Sequence, residues 1–283
     1  MANIWKGAPV VEGINARVSA QVEVLGKQGI LPTLAIIRVG ERPDDLSYER
    51  GAMKRCEKLG VQVRQFVLPQ DAPHGDLMAV ISQVNADPGI HGCLLLRPLP
   101  PQMDEEEARR ALLPEKDVDG ITDGSLAGVF TSTGEGYPPC TAQACLEILD
   151  HYGYALQGKR AVVVGRSLVV GKPVSMLLLA RHATVTICHT RTQDLPAICR
   201  QAEVLVAAAG KPEMITREYL SPGQVVLDVG IHVNAEGKLC GDVNLEDAQS
   251  VVEAVTPVPG GVGTVTTSVL AAQVVAAAGK AAK

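Results

Sequence analysis

Short apolar runs alternate with segments of helical spacing along the first half of the chain. Apolar runs predict strands over 32–39, 61–68 and 92–96, and helical spacing predicts helices over 47–59 and 77–84. Alternation of this kind is typical of a parallel sheet covered by helices on both faces. The pattern therefore predicts an α/β fold for this part of the chain.

The same alternation returns after Pro139. The further elements are predicted in this order: helix 141–152, strand 160–164, helix 173–181, strand 184–189, strand 204–208 and strand 225–229. The proline- and glycine-rich segment 257–263 (PVPGGVG) predicts a rigid loop, and an alanine-rich helix closes the chain. A length of 283 residues favours two domains, or one large one.

Composition and charge argue against several classes of partner. The net charge of −5 and the absence of a basic run lead us to expect no nucleic-acid partner and no membrane surface. We find no apolar stretch near the roughly 20 residues that span a bilayer. Residues 1–18 have the pattern of an amphipathic helix start and not of a signal peptide. A cytoplasmic protein is expected.

The cysteines and histidines predict no metal site. The seven cysteines are odd in number, widely scattered and free of any Cys-x-x-Cys motif, so they indicate neither disulfides nor zinc. Cysteines of this kind behave as small buried apolar residues in a reducing compartment. The six histidines form no pair at ligand spacing, and we interpret them as structural or surface residues.

The segment 162–173 (VVVGRSLVVGKP) carries the sharpest local chemistry. A strand leads into Gly165, Arg166 and Ser167, and a helix opened by Pro173 follows, which is the order that an anion-binding turn needs. The spacing excludes a P-loop, and Arg166 occupies the second glycine position of the usual dinucleotide fingerprint. The alternative is a tight strand–helix turn that binds no ligand.

The end of the next predicted strand (CHTR) bears on the choice of cofactor. An NAD-binding sheet usually places a carboxylate there for the ribose hydroxyl, but none occurs before Asp194. Arg166 and Arg191 can pair instead with a 2′-phosphate, and Ser167 and Thr190 can donate hydroxyl hydrogen bonds. NADP is favoured, with NAD as the alternative. Arg191 can equally be a solvated surface charge.

Eight motifs follow one another in order between about residues 39 and 267. They are Ser47-Tyr48 with the helix to Gly60, Pro98-Leu99-Pro100, the segment 116–120 (KDVDG), Pro139-Cys140-Thr141, the segment 165–173, the segment 228–231 (DVGI), Gly241-Asp242-Val243 and the segment 256–263. Each is weak alone, but the ordered set resembles the methylenetetrahydrofolate dehydrogenase/cyclohydrolase family.

The resemblance implies two domains and a homodimer. It implies a catalytic domain over 1–139, completed by the C-terminal helix 265–283, and a Rossmann-like dinucleotide-binding domain over 140–264. A one-carbon derivative of tetrahydrofolate would bind in a cleft between them.

Site residues follow from the resemblance, position by position. Tyr48 and Asp119 are implied as catalytic residues, Tyr48 lining the folate cleft and Asp119 binding the pterin ring. The other residues implied at the substrate are Pro98, Leu99, Pro259 and Gly260. The residues implied at the dinucleotide are Thr141, Gly165, Arg166, Ser167, Thr190, Arg191 and Ile231. As alternatives, Tyr48 is a packing residue of its helix, and Asp117 and Asp119 cap the turn before Gly120.

Two departures from the family pattern bear on a second reaction. The family usually has Tyr-x-x-x-Lys, with the lysine on the same helical face as the tyrosine, but this chain has Ala52. Lys54 is rotated from that position by roughly 200° at 3.6 residues per turn. The family glutamine that supports the lysine is replaced by Leu96.

The predicted function is NADP-dependent oxidation of 5,10-methylenetetrahydrofolate to the 5,10-methenyl derivative by hydride transfer. Cyclohydrolase activity is expected to be weak or absent because it needs a proton relay. The alternatives are a bifunctional enzyme with a displaced base, such as Lys54 or Arg97, a non-catalytic folate- or nucleotide-binding relative, and a non-folate dehydrogenase.

Overall fold

The computed structural model describes residues 1–234 and 236–282. The strands are β1 (Asn3–Ile4), β2 (Thr33–Val39), β3 (Gln62–Leu68), β4 (Gly92–Leu95), β5 (Arg160–Val164), β6 (Thr184–Cys188), β7 (Val204–Ala207), β8 (Val225–Asp228), β9 (His232–Val233), β10 (Leu239–Cys240) and β11 (Ala254–Val255). The helices are α1 (Gly7–Lys27), α2 (Pro43–Leu59), α3 (His74–Ala86), α4 (Glu105–Ala111), α5 (Asp123–Thr131), α6 (Cys140–His151), α7 (Gly171–Ala180), α8 (Leu195–Arg200), α9 (Leu245–Val251) and α10 (Val262–Ala281).

One compact unit contains residues 14–140 and the C-terminal residues from 267 onward. Its parallel sheet has the order β3-β2-β4, and all seven residues of the central strand β2 are buried. β2 pairs with β3 on one edge and with β4 on the other. Strands of a parallel sheet are also covered on both faces, which fits the nearly continuous apolar sequence of β2 (TLAIIRV). Replacing a buried isoleucine such as Ile37 by alanine typically costs about 2–5 kcal/mol of stability.

The other unit contains residues 1–13 and 141–266. Its six-stranded parallel sheet has the order β1-β11-β8-β7-β5-β6. From β5 the chain passes first to β6 on one side and then to β7 on the other side. The loops that follow β5, β6 and β7 therefore meet at the carboxyl edge of the sheet. In parallel α/β sheets that edge is where ligands bind.

The first residues of the chain pack against the six-stranded sheet. Asn3 and Ile4 form β1, which pairs with Ala254 and Val255 of β11. Residues 1–13 therefore group with the six-stranded sheet and not with the domain predicted over 1–139. A strand of two residues has no readable periodicity, so the sequence pattern does not reveal this pairing.

The predicted strands and long helices are confirmed to within a few residues. Helix α2 begins at Pro43, four residues before its predicted start, and ends where Gly60 adopts the left-handed conformation with φ of 72°. The predicted loop 257–263 is shorter than expected because α10 already begins at Val262. The short helices α4, α5, α8 and α9 were not predicted, since six to nine residues carry too little periodicity.

Helix α10 corrects the expectation about apolar length. By length and composition its 20 residues are sufficient to cross a membrane, with a mean hydropathy of 1.5 in the most apolar window. However, 67% of that window is buried inside the protein, as in the central helix of a folded domain. The apolar side chains of α10 are thus explained by packing inside the protein.

Candidate active site

Tyr48 and Asp119 lie within electrostatic range of each other in the unit that contains β2. Helix α2 carries Tyr48, and the turn after the segment 116–118 carries Asp119; both side chains are half-buried. Burial, followed by the charge of Asp119, raises the pKa of the Tyr48 hydroxyl well above its usual value. The phenol therefore stays protonated and can donate a hydrogen bond.

The two aspartates of the DVDG turn have different roles. Asp117 is fully buried and accepts hydrogen bonds from the backbone N–H groups of Ile121 (3.0 Å) and Thr122 (2.7 Å), while Gly120 takes the left-handed φ of 69°. The Cys140 thiol donates to the carbonyl oxygen of Val118 (3.3 Å) and lies near enough to Asp119 to affect its pKa. The turn-forming alternative therefore describes Asp117, and Asp119 is left for other chemistry.

Asp119 has a carboxyl group that titrates near neutral pH. Burial and the neighbouring charge of Asp117 raise its pKa to about 7, against the opposing effects of the Arg97 guanidinium and the Cys140 thiol. A carboxyl group of this kind exists in both protonation states under ordinary conditions. Such groups are common at functional sites.

Gln273 supports this arrangement and is absent from the sequence-based site. Its side-chain amide donates hydrogen bonds to the carbonyl oxygens of Val118 (2.7 Å) and Pro138 (3.1 Å) and to the sulfur of Cys140 (3.4 Å). Gln273 is thereby the buried link between α10 and the segments on either side of Asp119. The signal in the sequence is a single amide side chain within the apolar stretch 269–278 of this helix.

The positions of the expected lysine and glutamine are apolar and buried. Ala52 is fully buried on α2, and Leu96 is 6% exposed. Lys54 is exposed, which agrees with its predicted rotation away from the tyrosine face. Neither buried side chain can carry a proton.

Arg97 is the cation that acts on Asp119. Its Nη1 atom lies 2.9 Å from Oε1 of Glu105, and its Nε atom is buried with no hydrogen-bond partner in the described part of the chain. Of the next two residues, Pro98 is exposed to solvent, and Leu99 packs against the hydrophobic core. Of the implied substrate residues in this unit, Tyr48 and Asp119 are thus the pair that the structure brings together.

In the other unit, the turn after β5 has the geometry of an anion-binding loop. Gly165 has a φ of 140°, which favours glycine. The hydroxyl oxygen of Ser167 accepts hydrogen bonds from the backbone N–H groups of Val170 (3.1 Å) and Gly171 (3.4 Å), at the start of α7. The Ser167 hydroxyl hydrogen therefore stays available to a ligand. Helix α7 begins two residues before Pro173, earlier than predicted.

A cavity of about 400 Å³ lies at the carboxyl edge of the six-stranded sheet. It is lined by four of the predicted cofactor residues, Gly165, Arg166, Ser167 and Thr190. Arg191 is exposed and is not among the lining residues, which agrees with the alternative of a surface charge.

Three further polar residues line this cavity and were missed by the sequence reasoning. They are His189, Thr192 and Lys211. The Nδ1 atom of His189 accepts a hydrogen bond from the backbone N–H of Arg191 (3.1 Å), so this histidine has a structural role besides lining the cavity. Lys211 follows β7, and its place at the carboxyl edge was the available signal.

Ile231, Pro259 and Gly260 share a second, smaller cavity of about 140 Å³. The structure thus groups Ile231, an implied cofactor residue, with two implied substrate residues and not with Arg166. Ile231 is 63% exposed, and Gly260 has a φ of 101°. Thr141 lies in the first turn of α6, half-buried, and is not among the residues lining either cavity.

The residues around the larger cavity fit a phosphate-bearing nucleotide. Hydroxyl groups come from Ser167, Thr190 and Thr192, and cationic groups come from Arg166 and Lys211. A turn at the start of a helix with hydroxyl and cationic side chains is a suitable donor set for phosphate oxygens. No group of three or more histidine, cysteine, aspartate or glutamate side chains is placed to hold a metal ion in residues 1–234 and 236–282.

Comparison with known proteins identifies the family. Residues 5–119 match the catalytic domain of tetrahydrofolate dehydrogenase/cyclohydrolase, and residues 139–282 match its NAD(P)-binding domain. The chain is 48% identical over 272 residues to the bifunctional protein FolD of Carboxydothermus hydrogenoformans, covering 95% of each chain. The chain belongs to the tetrahydrofolate dehydrogenase/cyclohydrolase family.

Solved structures of the same family have the same fold. The bifunctional FolD enzyme of Campylobacter jejuni matches with a TM-score of 0.96 at 32% identity, covering 99% of each chain. The Trypanosoma brucei methylenetetrahydrofolate dehydrogenase-cyclohydrolase, described as complexed with NADP cofactor and inhibitor, matches with a TM-score of 0.92 at 31% identity, covering 99% of this chain and 98% of that chain. The predicted α/β fold with a Rossmann-like nucleotide-binding domain is thereby confirmed.

Proposed function

We propose that this member of the tetrahydrofolate dehydrogenase/cyclohydrolase family oxidises 5,10-methylenetetrahydrofolate to the 5,10-methenyl derivative with NADP. The observation that carries the proposal is the cavity at the carboxyl edge of the six-stranded sheet, with Arg166 and Lys211 among its lining residues. Two cations and no acidic lining residue favour the 2′-phosphate of NADP over the free ribose hydroxyl of NAD. The NADP-bound relative supports the same cofactor.

Hydride transfer asks the protein for positioning more than for proton chemistry. NADP, when bound, supplies the nicotinamide C4 atom that accepts the hydride. We assign Asp119 to the pterin ring, whose N–H groups are donors for a carboxylate, and Tyr48 to the adjoining surface of the folate. Both roles hold the substrate in place and require no side chain to ionise during the step.

We further propose that cyclohydrolase activity is weak or absent in this chain. Hydrolysis of the methenyl cation needs an activated water and a group that moves a proton, a contribution of typically about 10²–10⁴-fold. Ala52 and Leu96 supply neither, and the exposed Lys54 does not replace them. The FolD relatives named above are described as bifunctional. The proposed difference in cyclohydrolase activity therefore depends on two residues of this chain, Ala52 and Leu96.

A bifunctional enzyme is the second candidate function, and one observation favours it. The pKa of Asp119, raised to about 7 by burial, lets this carboxyl group exchange a proton at neutral pH. A displaced base would then be Asp119, because a guanidinium such as that of Arg97 does not deprotonate in proteins.

The two candidates differ in the fate of the methenyl product. Purified protein supplied with methylenetetrahydrofolate and NADP should form NADPH and methenyl derivative in equal amounts. The methenyl product should then decay at the rate of a protein-free blank. Decay more than about tenfold faster than the blank would establish the bifunctional alternative, and no NADPH at all would establish a non-catalytic relative.

Replacing Arg166 should alter the choice of cofactor. An Arg166→Gln variant should raise KM for NADP by about tenfold or more, because a hydrogen bond to a charged group contributes about 1.5–3 kcal/mol. Its KM for NAD should change by less than about twofold. Steady-state rates with both cofactors measure the effect. Arg191→Gln is the matched control because Arg191 does not line the cavity, and an equal effect there would contradict a specific role of Arg166 in binding the 2′-phosphate.

The resemblance also leads us to propose a homodimer that acts in the cytoplasm, with no nucleic-acid or membrane partner. Light scattering on the purified protein should give twice the mass of one chain, which is 29.8 kDa. A monomeric mass at micromolar concentration would contradict the dimer.

A further inference from the structure

Asp242 is a fully buried carboxylate that accepts hydrogen bonds from three consecutive backbone N–H groups. Its Oδ2 atom accepts from Ala209 (2.6 Å) and Gly210 (3.1 Å), and its Oδ1 atom accepts from Lys211 (2.9 Å). Asp242 and the segment 209–211 both belong to the unit that contains the six-stranded sheet. The side chain thus fixes a loop 31 to 33 residues earlier in the chain.

The loop fixed in this way is a wall of the nucleotide cavity. Ala209 and Lys211 line that cavity together with Arg166. Gly210 between them has the left-handed φ of 69°, and this conformation lets three successive N–H groups converge on one carboxylate. The shape of the wall therefore depends on an anion that the protein supplies itself.

His232 contacts the Asp242 carboxylate, and Asp228 holds the Asp242 backbone. His232 on β9 lies with its Nε2 atom 2.8 Å from Oδ1 of Asp242. Because that oxygen accepts, the Nε2 atom is the donor. Behind the carboxylate, Asp228 accepts hydrogen bonds from the backbone N–H groups of Asp242 (2.9 Å) and Val243 (3.0 Å). The Gly230 backbone packs against this pair, since a Cβ atom there would lie 2.6 Å from Oδ1 of Asp242.

We propose that Asp242 is a positioning residue of the cofactor site, that it preorganises the wall formed by Ala209 and Lys211, and that His232 fixes its carboxylate. The proposal rests on the proposed function for the identity of the nucleotide. A wall that is ordered before the ligand arrives removes the ordering cost from binding. Without the three hydrogen bonds to Asp242, the wall must become ordered when the nucleotide binds, and this weakens binding.

An Asp242→Asn variant tests the role directly, because the amide has the same shape but one acceptor oxygen. We expect the Kd for NADPH, measured by its fluorescence without folate, to rise about tenfold. KM for NADP should rise in parallel, while kcat and KM for the folate stay within about twofold. Asp247→Asn is the control, since Asp247 also accepts from a backbone N–H, that of Arg217 (2.9 Å), away from the cavity.

Hydrogen exchange gives a readout without cofactor. Amide exchange in a peptide containing Ala209 and Lys211 should be at least tenfold faster in Asp242→Asn than in the wild type. A proportional loss of kcat and a rise in both KM values would indicate general destabilisation and overturn the proposal. So would a Kd for NADPH within twofold of the Asp247→Asn control.

Substitutions at His232 keep the test decisive if Asp242→Asn does not fold. His232→Leu removes the donor and should raise the Kd for NADPH about threefold, and His232→Gln, which restores a donor, should return it to within twofold of the wild type. Equal values for the two variants would overturn the role of His232. If the wild type binds NADPH but forms no methenyl product, the proposed folate reaction fails, and the Kd values for NADPH of the variants still decide the role of Asp242. If it binds no NADPH, both fail.

Discussion

An Asp119→Asn variant should lose about 10²–10³-fold in kcat/KM for the folate substrate at pH 8. The proposed ligand is the pterin ring, which presents N–H donors, and each hydrogen bond to a charged group contributes about 1.5–3 kcal/mol. The asparagine amide keeps one acceptor but directs its own N–H₂ donors at the second pterin donor. The measurement is the initial rate of NADPH formation, with Asp71→Asn as the control because Asp71 is exposed.

The pH dependence of the same variant identifies the group involved. Burial raises the pKa of Asp119 to about 7. Wild-type kcat/KM should therefore fall as the pH falls through about 7, because the protonated carboxyl loses its acceptor capacity for the second donor. In Asp119→Asn this acidic limb should be absent. A limb that survives the substitution would assign the titration to another residue.

Stability changes in the opposite direction to activity. The folded-state pKa of Asp119 lies above the unfolded value of about 3.9, so the folded protein binds a proton more tightly. This contribution is complete below pH 4 and is lost as the pH rises to about 7. Removing the charge by Asp119→Asn should accordingly raise the Tm at pH 8. A lower Tm together with lower activity would indicate that the variant is merely misfolded.

The sequence could predict those parts of the fold that depend on local pattern. The apolar run of β2 and the stop of α2 at Gly60 each have a local cause, and the structure has both. The pairing of β1 with β11 joins residues about 250 apart in the chain, and two-residue strands have no period. The sequence pattern therefore does not show that residues 1–13 pack with the six-stranded sheet.

The candidate site divides in the same way. Arg166 and Thr190 follow predicted strands, and the carboxyl ends of parallel strands meet at one edge, so their shared cavity could be predicted. Gln273 contacts Val118 across 155 residues, and Asp242 contacts Ala209 across 33, so neither contact has a sequence signature. Ile231 was assigned by resemblance to the dinucleotide, yet it shares a separate cavity with Pro259.

The combined variant Ala52→Lys with Leu96→Gln should increase cyclohydrolase activity about 10²-fold over the wild type, the typical contribution of a positioned acid–base group. A lysine at position 52 lies one helical turn from Tyr48, on the same face. Position 52 is fully buried, so an ammonium without a partner would have its pKa lowered and would destabilise the fold. The family resemblance implies that a glutamine at position 96 is the hydrogen-bond partner of this lysine.

Each single substitution should therefore change hydrolysis by less than about threefold. Ala52→Lys alone should also lower the Tm, and the added Leu96→Gln should recover part of that loss, because a buried charge is costly until it is hydrogen-bonded. Decay of added methenyltetrahydrofolate measures the rates, with Ala52→Met plus Leu96→Gln as a control of similar size without the amine. If the single lysine variant matched the double variant, position 96 would contribute nothing to hydrolysis. The loss of one proton-transfer unit would then rest on position 52 alone.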